Sequence, residues 1–443
     1  MIASGCHFKS KVKLALYFFS LTFTSNSFKI VLKFVHFILT KQRKGHPSHK
    51  ATEAKGGAKM LYKNIVRPIL FRLTREDPEV AHEWAIKLLK IAGISKYMCG
   101  ALRNFIAIND PRLVQKVFGL EFKNPVGLAA GFDKNGEAIA GLTSLGFGFN
   151  TFGTVTPLNQ KGNDRPRIFR LPEDRALINR MGFNNFGALH LAIRLSTIKR
   201  RGIPIGASIG KARNTHIKNA VDDYLDCLRL LYKFADFFEA NISSPNTPEL
   251  RTLQYENHLE QLLMALNHKM TQLAKKYKGP FKPVIPKIDP DLSWGELDAI
   301  LEVCERQRMM GLIVANTTVK RSGLKTEIKE DGGLSGEPLR ERALEMVRYI
   351  FNSTDGTLPI IGVGGIFSAE DAYEMFKAGA SLIQVFTGMI YEGPFIARNI
   401  NRGLVKIFER EGIKHISEIR GGKRNGKIGK CYIARRQGCQ PHY

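Results

Sequence analysis

Two serines and two asparagines crowd into Asn241-Ile-Ser-Ser-Pro-Asn-Thr247, directly after the apolar run Phe237-Phe-Glu-Ala240. A serine hydroxyl can take or give a proton, and asparagine amides offer donors and acceptors to a planar polar ligand. An apolar run that ends in polar residues reads as a buried strand delivering a site, with Pro245 stiffening the exit. Lys134 closes Ala129-Ala-Gly-Phe-Asp-Lys134, where small residues admit a flat ring and the ammonium can pair with a carboxylate. Asn179-Arg-Met-Gly-Phe183 and Asn316-Thr-Thr318 add two further polar tips. Four asparagines beside two lysines suit a uracil-like ring that carries a carboxylate.

The second lysine, Lys287, sits in Val284-Ile-Pro-Lys-Ile-Asp289, where an unpaired charge is costly. It requires an anionic partner, either the pyrimidine side of a reduced flavin or a structural ion pair with Asp289 or Asp291. Further on, Ile360-Ile-Gly-Val-Gly-Gly365 precedes a helix opening at Ser368-Ala-Glu-Asp371, and Leu382-Ile-Gln-Val-Phe-Thr-Gly388 follows it. Glycines at two successive strand ends read as a phosphate cradle, with the dipole of the helix at Ser368 assisting. Gly332-Gly-Leu-Ser-Gly336 reads as a third, mobile glycine loop.

Eight short apolar runs must position these residues: Pro125 to Ala130, Phe147 to Val155, Pro204 to Gly210, Phe237 to Ser243, Pro283 to Asp289, Gly311 to Thr317, Pro359 to Gly365 and Leu382 to Gly388. Helical segments separate them, which predicts an α/β fold, an eight-stranded parallel β/α (TIM) barrel. No Gly-x-Gly-x-x-Gly follows the first strand, against an open doubly wound sheet. Ahead of the barrel, Ile65, Ile69, Leu70 and Leu73, then Ala81, Trp84, Ala85, Leu88 and Leu89, recur at helical spacing on either side of Asp77-Pro78, predicting a small N-terminal two-helix element.

The formal net charge of +27 is unevenly spread. Residues 1 to 60 carry +10 and residues 420 to 443 carry +7, leaving +10 for the middle. Basicity concentrated in two tails argues against nucleic acid as a partner of the core. The six cysteines are scattered without a CxxC pair, so neither a disulfide framework nor a metal site is expected. Leu14 to Phe23 and Ile30 to Leu39 are apolar, yet each is shorter than a membrane span. Residues 1 to 59 therefore read as a basic extension, serving as a targeting or anchor segment or lying upstream of an alternative start at Met60. Residues 60 to 100 form the amphipathic helical element, 101 to 415 the barrel and 416 to 443 a basic disordered tail.

Taken in order, Gly127-Leu-Ala-Ala-Gly-Phe-Asp-Lys-Asn-Gly136, Gly153-Thr-Val-Thr-Pro157, Arg165-Pro-Arg-Ile-Phe-Arg-Leu-Pro-Glu-Asp174, Ile178-Asn-Arg-Met-Gly-Phe-Asn184, Asn241-Ile-Ser-Ser-Pro-Asn246, Gly332-Gly-Leu-Ser-Gly336 and Pro359-Ile-Ile-Gly-Val-Gly-Gly365 strongly resemble the membrane-associated, quinone-dependent (class 2) dihydroorotate dehydrogenases. The resemblance runs over about residues 60 to 415. It implies an FMN enzyme of pyrimidine biosynthesis that oxidises dihydroorotate to orotate and reduces ubiquinone or another membrane quinone. Ser244 matches the catalytic base, where soluble relatives use cysteine; a water relay near Thr247 and Phe183 would assist it. Lys134, Asn179, Asn246, Asn316 and Thr317 match orotate contacts, with Arg180, Met181, Gly182 and Phe183 completing the motif that holds Asn179. Asn241 matches a residue touching both flavin and substrate. Ala130, Gly131, Thr154, Lys287, Ala315, Gly336, Gly365, Phe386 and Thr387 match flavin positions. His82 and Arg170 are candidate quinone contacts, and the helices near residues 61 to 91 correspond to the family's quinone tunnel and membrane-docking element.

Three positions depart from the family's usual pattern. Ala207-Ser-Ile-Gly-Lys-Ala212 carries Ser208 in place of an asparagine, so a hydroxyl must replace an amide contact to the flavin. Ala315 stands where a hydroxyl residue is common, and Phe386 where tyrosine often occurs. Each could cost about 1 kcal/mol, one hydrogen bond. The membrane implied is a mitochondrial inner membrane or a bacterial cytoplasmic one. Two other functions fit some of the same residues: a dihydrouridine synthase-like flavin barrel acting on RNA uracils, and a membrane-surface binding protein on a degenerate barrel.

Overall fold

Short aliphatic segments with glycine or proline at their ends cannot bury both faces alone, and here eight of them close on one another. The computed structural model describes residues 62–73, 77–198 and 202–422. The expectations for residues 1–59 and for the tail beyond 422 fall outside them, whereas residues 416–422, expected as the start of a disordered tail, form a 3-10 turn over Ile416–Glu418 with Ile416 and Ile419 buried. The described residues form thirteen strands, β1 to β13 in chain order. β3 (Val126–Leu128), β4 (Phe149–Val155), β7 (Ile205–Ile209), β8 (Phe237–Asn241), β9 (Val284–Lys287), β10 (Leu312–Val314), β12 (Ile360–Val363) and β13 (Leu382–Val385) form a closed barrel. Every pairing in it is parallel, and β13 returns to β3 with Ile383 opposite Val126. Each of the eight apolar runs read from the sequence contains one barrel strand, as the predicted α/β barrel requires.

Aromatic rings fill the amino-terminal end of the barrel. Phe149 and Phe237 meet edge to face with centroids 6.0 Å apart. Space for them comes from inward glycines: a Cβ at Gly127 would lie 2.3 Å from Phe149, and one at Gly206 2.4 Å from Phe237. β1 (Gln115–Val117) and β2 (Leu120–Phe122) form an antiparallel hairpin whose Val117, Phe118 and Phe122 join this cluster and plug the barrel floor. The opposite end is thus left for chemistry.

A second small sheet was not anticipated. β5 (Ile168–Leu171), β6 (Ala176–Asn179) and β11 (Gly333–Gly336) pair antiparallel in the order β11-β6-β5, around Leu171, Ala176, Ile178 and Leu334. The Gly332–Gly336 segment expected as a mobile loop is therefore a strand, with Gly333 opposite Asn179 and Gly336 opposite Ala176. Its glycines serve close approach: a Cβ at Gly333 would fall 2.0 Å from the Thr317 hydroxyl.

The chain divides into two units, Met1–Leu73 and Thr74–Tyr443. Within the described part of the first, a π-helical turn over Tyr62–Val66 continues as an α-helix over Arg67–Leu73. In the second, the helix Pro78–Ile94 begins where the sequence marks it, with Asp77 as N-cap and proline in the first turn. Among the described residues no helix is long and apolar enough to cross a membrane. The helix Pro78–Ile94 lies hard against the short helix Ile139–Leu142, since a Cβ at Gly141 would sit 2.2 Å from the Leu89 carbonyl. At its start the buried Glu79 takes two bonds from Arg167, Nε to Oε2 at 2.9 Å and Nη2 to Oε1 at 2.7 Å. Arg167 spends Nη1 on the carbonyls of Lys161 and Asn163.

Removing one partner of such a pair leaves an uncompensated buried charge. Glu79→Ala should cost about 3–5 kcal/mol in urea unfolding, and adding Arg167→Met should restore part of the loss.

Candidate functional site

Parallel strands in a closed barrel deliver all their carboxyl-terminal residues to one rim. Lys134, Thr154, Ser208, Asn241, Ser244, Asn246, Lys287, Asn316, Gly365 and Thr387 all lie in, or just beyond, the last turns of those eight strands. The small sheet brings β6 and its exit to the same rim. Asn246 Nδ2 donates to the Asn179 carbonyl at 3.1 Å and to its Oδ1 at 3.4 Å. Asn179 Nδ2 in turn donates to the Gly333 carbonyl at 3.3 Å.

The deepest part of the site is a buried hydrogen-bonded chain. Asn241 Nδ2 donates to Thr154 Oγ1 at 2.9 Å, Thr154 Oγ1 and Ser208 Oγ are 2.8 Å apart, and Ser208 Oγ donates to Glu239 Oε1 at 3.0 Å. Lys287 Nζ stands 3.6 Å from that same carboxylate oxygen. The anionic partner that Lys287 demanded is thus Glu239 on the neighbouring strand, and neither Asp289 nor Asp291. Asp289 pairs instead with Arg251 at 2.5 Å, and burial pushes its carboxyl up to about 6. Above the chain, Asn316 Nδ2 reaches Ser243 Oγ at 3.0 Å and Asn241 Oδ1 at 3.4 Å.

Ser244 is buried, and its Oγ accepts the Asn246 backbone N–H at 3.3 Å. Thr247, three residues on, has a buried hydroxyl without a hydrogen-bond partner. Phe183 holds a left-handed backbone, φ +54°, and its ring lies 3.0 Å from where a Cβ of Gly210 would be, next to Thr154. Asn163 joins this region to the rest, donating to the carbonyls of Arg180 at 2.9 Å and Asn246 at 3.4 Å. Arg180 pairs with Glu330 and stacks over Phe169, 4.6 Å from its centroid. Met181 and Gly182 shape the turn, with Gly182 at φ +67°.

Lys134 faces the Glu79–Arg167 pair. Burial pulls its ammonium down to about 8; Glu79 and Asp133 oppose that shift and Arg167 adds to it. His82, one turn beyond Glu79, is pulled down to about 4 by burial and then by Lys134, so its imidazole is neutral at pH 7. Its ring meets Phe132 edge to face at 5.2 Å, and Phe132 meets Phe386 at 5.8 Å. Phe386 in turn lies 3.3 Å from where a Cβ of Gly131 would be. A row of rings therefore leads from the helix Pro78–Ile94 to the barrel rim beside the half-buried Ala130. Arg170, on β5, is drawn below the ordinary guanidinium range by burial, against the charges of Tyr391 and Asp77.

The glycine loops after β12 and β13 stand together, but the helix expected to aid them does not. Ser368 and Asp371 form a capping box: Ser368 Oγ accepts from Asp371 N, and Asp371 Oδ2 accepts the N–H groups of Phe367 and Ser368. Those amides are therefore spent inside the helix end, and Asp371 is itself paired with Arg340 at 3.2 Å. The short helix Thr387–Glu392, which leaves β13 directly, carries no side-chain cap. Thr387 Oγ1 lies 2.8 Å from Ser335 Oγ, next to Gly336. At Gly365, φ +64°, a Cβ would strike Arg340 at 2.4 Å, so only glycine packs against Arg340 there. Ala315 is buried and bonded through its N–H to the Val363 carbonyl at 2.9 Å.

Glu239, Glu79 and Arg167 were not singled out from the sequence. A signal for Glu239 existed, the same one that exposed Lys287: a charge inside an otherwise apolar strand. Among the described residues no cluster of His, Cys, Asp and Glu could hold a metal ion.

A parallel β/α barrel whose open rim gathers amides, a serine, a buried lysine and glycine-lined loops defines a barrel enzyme. A family model for dihydroorotate dehydrogenase matches residues 112–408. The chain is 49% identical over 357 residues to the dihydroorotate dehydrogenase (quinone) of Gloeobacter violaceus, covering 81% of this chain and 98% of the relative. It is 48% identical over 352 residues to that of Chloroflexus aurantiacus, covering 78% and 96%. The structure of the Eimeria tenella DHODH in complex with ferulenol superposes with a TM-score of 0.72 at 36% identity, covering 81% of this chain and 99% of that one. The chain belongs to the dihydroorotate dehydrogenase family, in its quinone-dependent branch, and is an oxidoreductase.

With its ammonium near 8, Lys134 is cationic below that pH and neutral above it. Calorimetric affinity for a carboxylate ligand should fall as pH rises through about 8, and Lys134→Met should flatten that dependence and weaken binding about 10–100-fold.

Proposed function

We propose that this chain oxidises dihydroorotate to orotate in pyrimidine biosynthesis, using FMN and passing electrons to a membrane quinone. The observation that carries the reading is the meeting of Ser244, Asn246 and Asn179 at one end of the rim with the Asn241–Thr154–Ser208–Lys287 set at its centre. The names of the relatives support the substrate and the acceptor. The residues present suit a flavin: the half-buried Gly131, at φ +98°, brings backbone without a Cβ to the rim beside Phe386, and Lys287 brings a buried cation to the barrel axis. Gly336, Gly365, Phe386 and Thr387 would hold its phosphate end, and Ala130, Gly131, Thr154, Ser208, Lys287 and Ala315 its ring. A bound FMN would supply the hydride acceptor for C6 of the substrate and the electron donor for the quinone.

The chain's own part is binding and proton transfer. Lys134 pairs with the substrate carboxylate while Asn179, Asn241, Asn246, Asn316 and Thr317 hold the amide edges of the ring, beside the turn Arg180-Met-Gly-Phe183. Ser244 Oγ takes the C5 proton. A serine hydroxyl is a weak base at its ordinary pKa, and the Asn246 N–H directed at Oγ favours negative charge there. The unpaired Thr247 hydroxyl offers the next station for the proton. The neutral His82, at the outer end of the row of rings from Gly131, and Arg170 would contact the quinone, and the helix Pro78–Ile94 would belong to the quinone and membrane-docking element. A mitochondrial inner membrane or a bacterial cytoplasmic membrane would supply it.

The purified protein should be yellow, and anaerobic dihydroorotate should bleach its flavin; a flavin that stays oxidised overturns the reading. Ser244→Ala should slow that bleaching in stopped flow by about 10²–10⁴-fold with the dihydroorotate Kd little changed.

A further inference from the structure

Glu239 takes no part in the reaction proposed above, yet it is wholly buried in the barrel interior, one inward position below Asn241 on β8. Its Oε1 holds Ser208 and faces Lys287, while its Oε2 has no hydrogen-bond partner. A carboxylate facing an ammonium is an acceptor only, and a hydroxyl owns a single proton. Ser208 therefore spends its proton on Glu239 and must accept from Thr154. Thr154, its proton spent on Ser208, must accept from Asn241 Nδ2, which turns Asn241 Oδ1 towards Asn316 Nδ2. The amide orientation of an asparagine is ordinarily ambiguous; here one buried carboxylate dictates it through three hydrogen bonds.

We propose that Glu239 is a positioning residue that sets the hydrogen-bond polarity of the ligand site and offsets the charge of Lys287. Ser208 is wholly buried, so the polarity is delivered at the rim by Asn241, whose Nδ2 is spent on Thr154 and whose Oδ1 is left as an acceptor, which selects a ring that presents an N–H, such as an imide. The anion beside Lys287 reduces the positive field available to stabilise electrons on a bound ring, which holds the redox potential lower than the lysine alone would. The proposal rests on the flavin reading, and its test separates the two.

FMN affinity of the apoprotein, by fluorescence quenching, and the midpoint potential of the bound flavin, by equilibrium dye titration, are compared in the full chain for wild type, Glu239→Gln and Ser208→Ala. Glutamine is neutral and can donate to Ser208, reversing the chain. Glu239→Gln should weaken FMN binding about tenfold, the loss of one hydrogen bond, and move the midpoint to more positive values. Ser208→Ala keeps the ion pair but cuts the chain, so affinity should fall while the midpoint stays in place. A purely structural role for Glu239 would lower apoprotein stability and leave the midpoint unmoved, and an unmoved midpoint overturns the charge role. Ser208→Ala binding FMN within about twofold of wild type overturns the polarity role. A wild-type protein that binds no FMN overturns the flavin reading itself.

Discussion

The ammonium of Lys287, held inside a closed barrel, is the constraint around which the site is organised. Burying an ion costs several kcal/mol unless a partner is close and its remaining lone pairs and protons are satisfied. Glu239 supplies the partner from the adjacent strand, because parallel pairing sets Asn241 opposite Lys287 and so puts Glu239 one inward step below. Once the carboxylate is there, Ser208, Thr154 and Asn241 follow in sequence, each from a different strand or strand end. Four segments of the barrel are thereby tied at the level of their side chains as well as their backbones. A site built this way is rigid before any ligand arrives, which limits the ordering cost of binding.

The barrel was legible because each strand is a short, locally apolar segment flanked by turn residues, and the helices between them carry their own periodicity. What escaped were elements whose identity depends on distant partners. β1 and β2 are three residues each and only partly buried, so no periodicity could form. β11 is Gly-Leu-Ser-Gly, a composition that argues for a loop; it becomes a strand only because β6, some 150 residues earlier, offers an edge and Thr317 and Arg175 leave no room for a Cβ. The capping box at Ser368 had a readable signature, serine followed three residues later by an acid. Its acid occupies the amides of Phe367 and Ser368, which glycine content alone conceals.

Within the site, the polar tips were legible and their wiring was not. Asn179, Asn241, Asn246 and Asn316 stand out as amides after apolar runs, and they do converge. Glu239 did not stand out, because Phe237-Phe-Glu-Ala240 reads as apolar when three of its four residues are. Glu79 and Arg167 lie 88 residues apart, and nothing in either neighbourhood announces the other. Buried ion pairs between remote segments are set by tertiary geometry, so sequence shows at most an unexplained charge.

The Glu79–Arg167 pair also explains why the helix Pro78–Ile94 matters to residues it does not contain. Arg167 fixes the carbonyls of Lys161 and Asn163, and Asn163 fixes those of Arg180 and Asn246. The same glutamate raises the affinity of Lys134 for its proton while the arginine lowers it, so the net charge of the pair leaves Lys134 governed mainly by burial. One turn further along, His82 is kept neutral by burial and then by the nearby Lys134 ammonium. The lysine that suits a carboxylate and the imidazole that begins the row of rings towards Gly131 are therefore coupled through a single helix end. Displacing that helix would disturb the anionic end of the proposed substrate and the proposed path for electrons together.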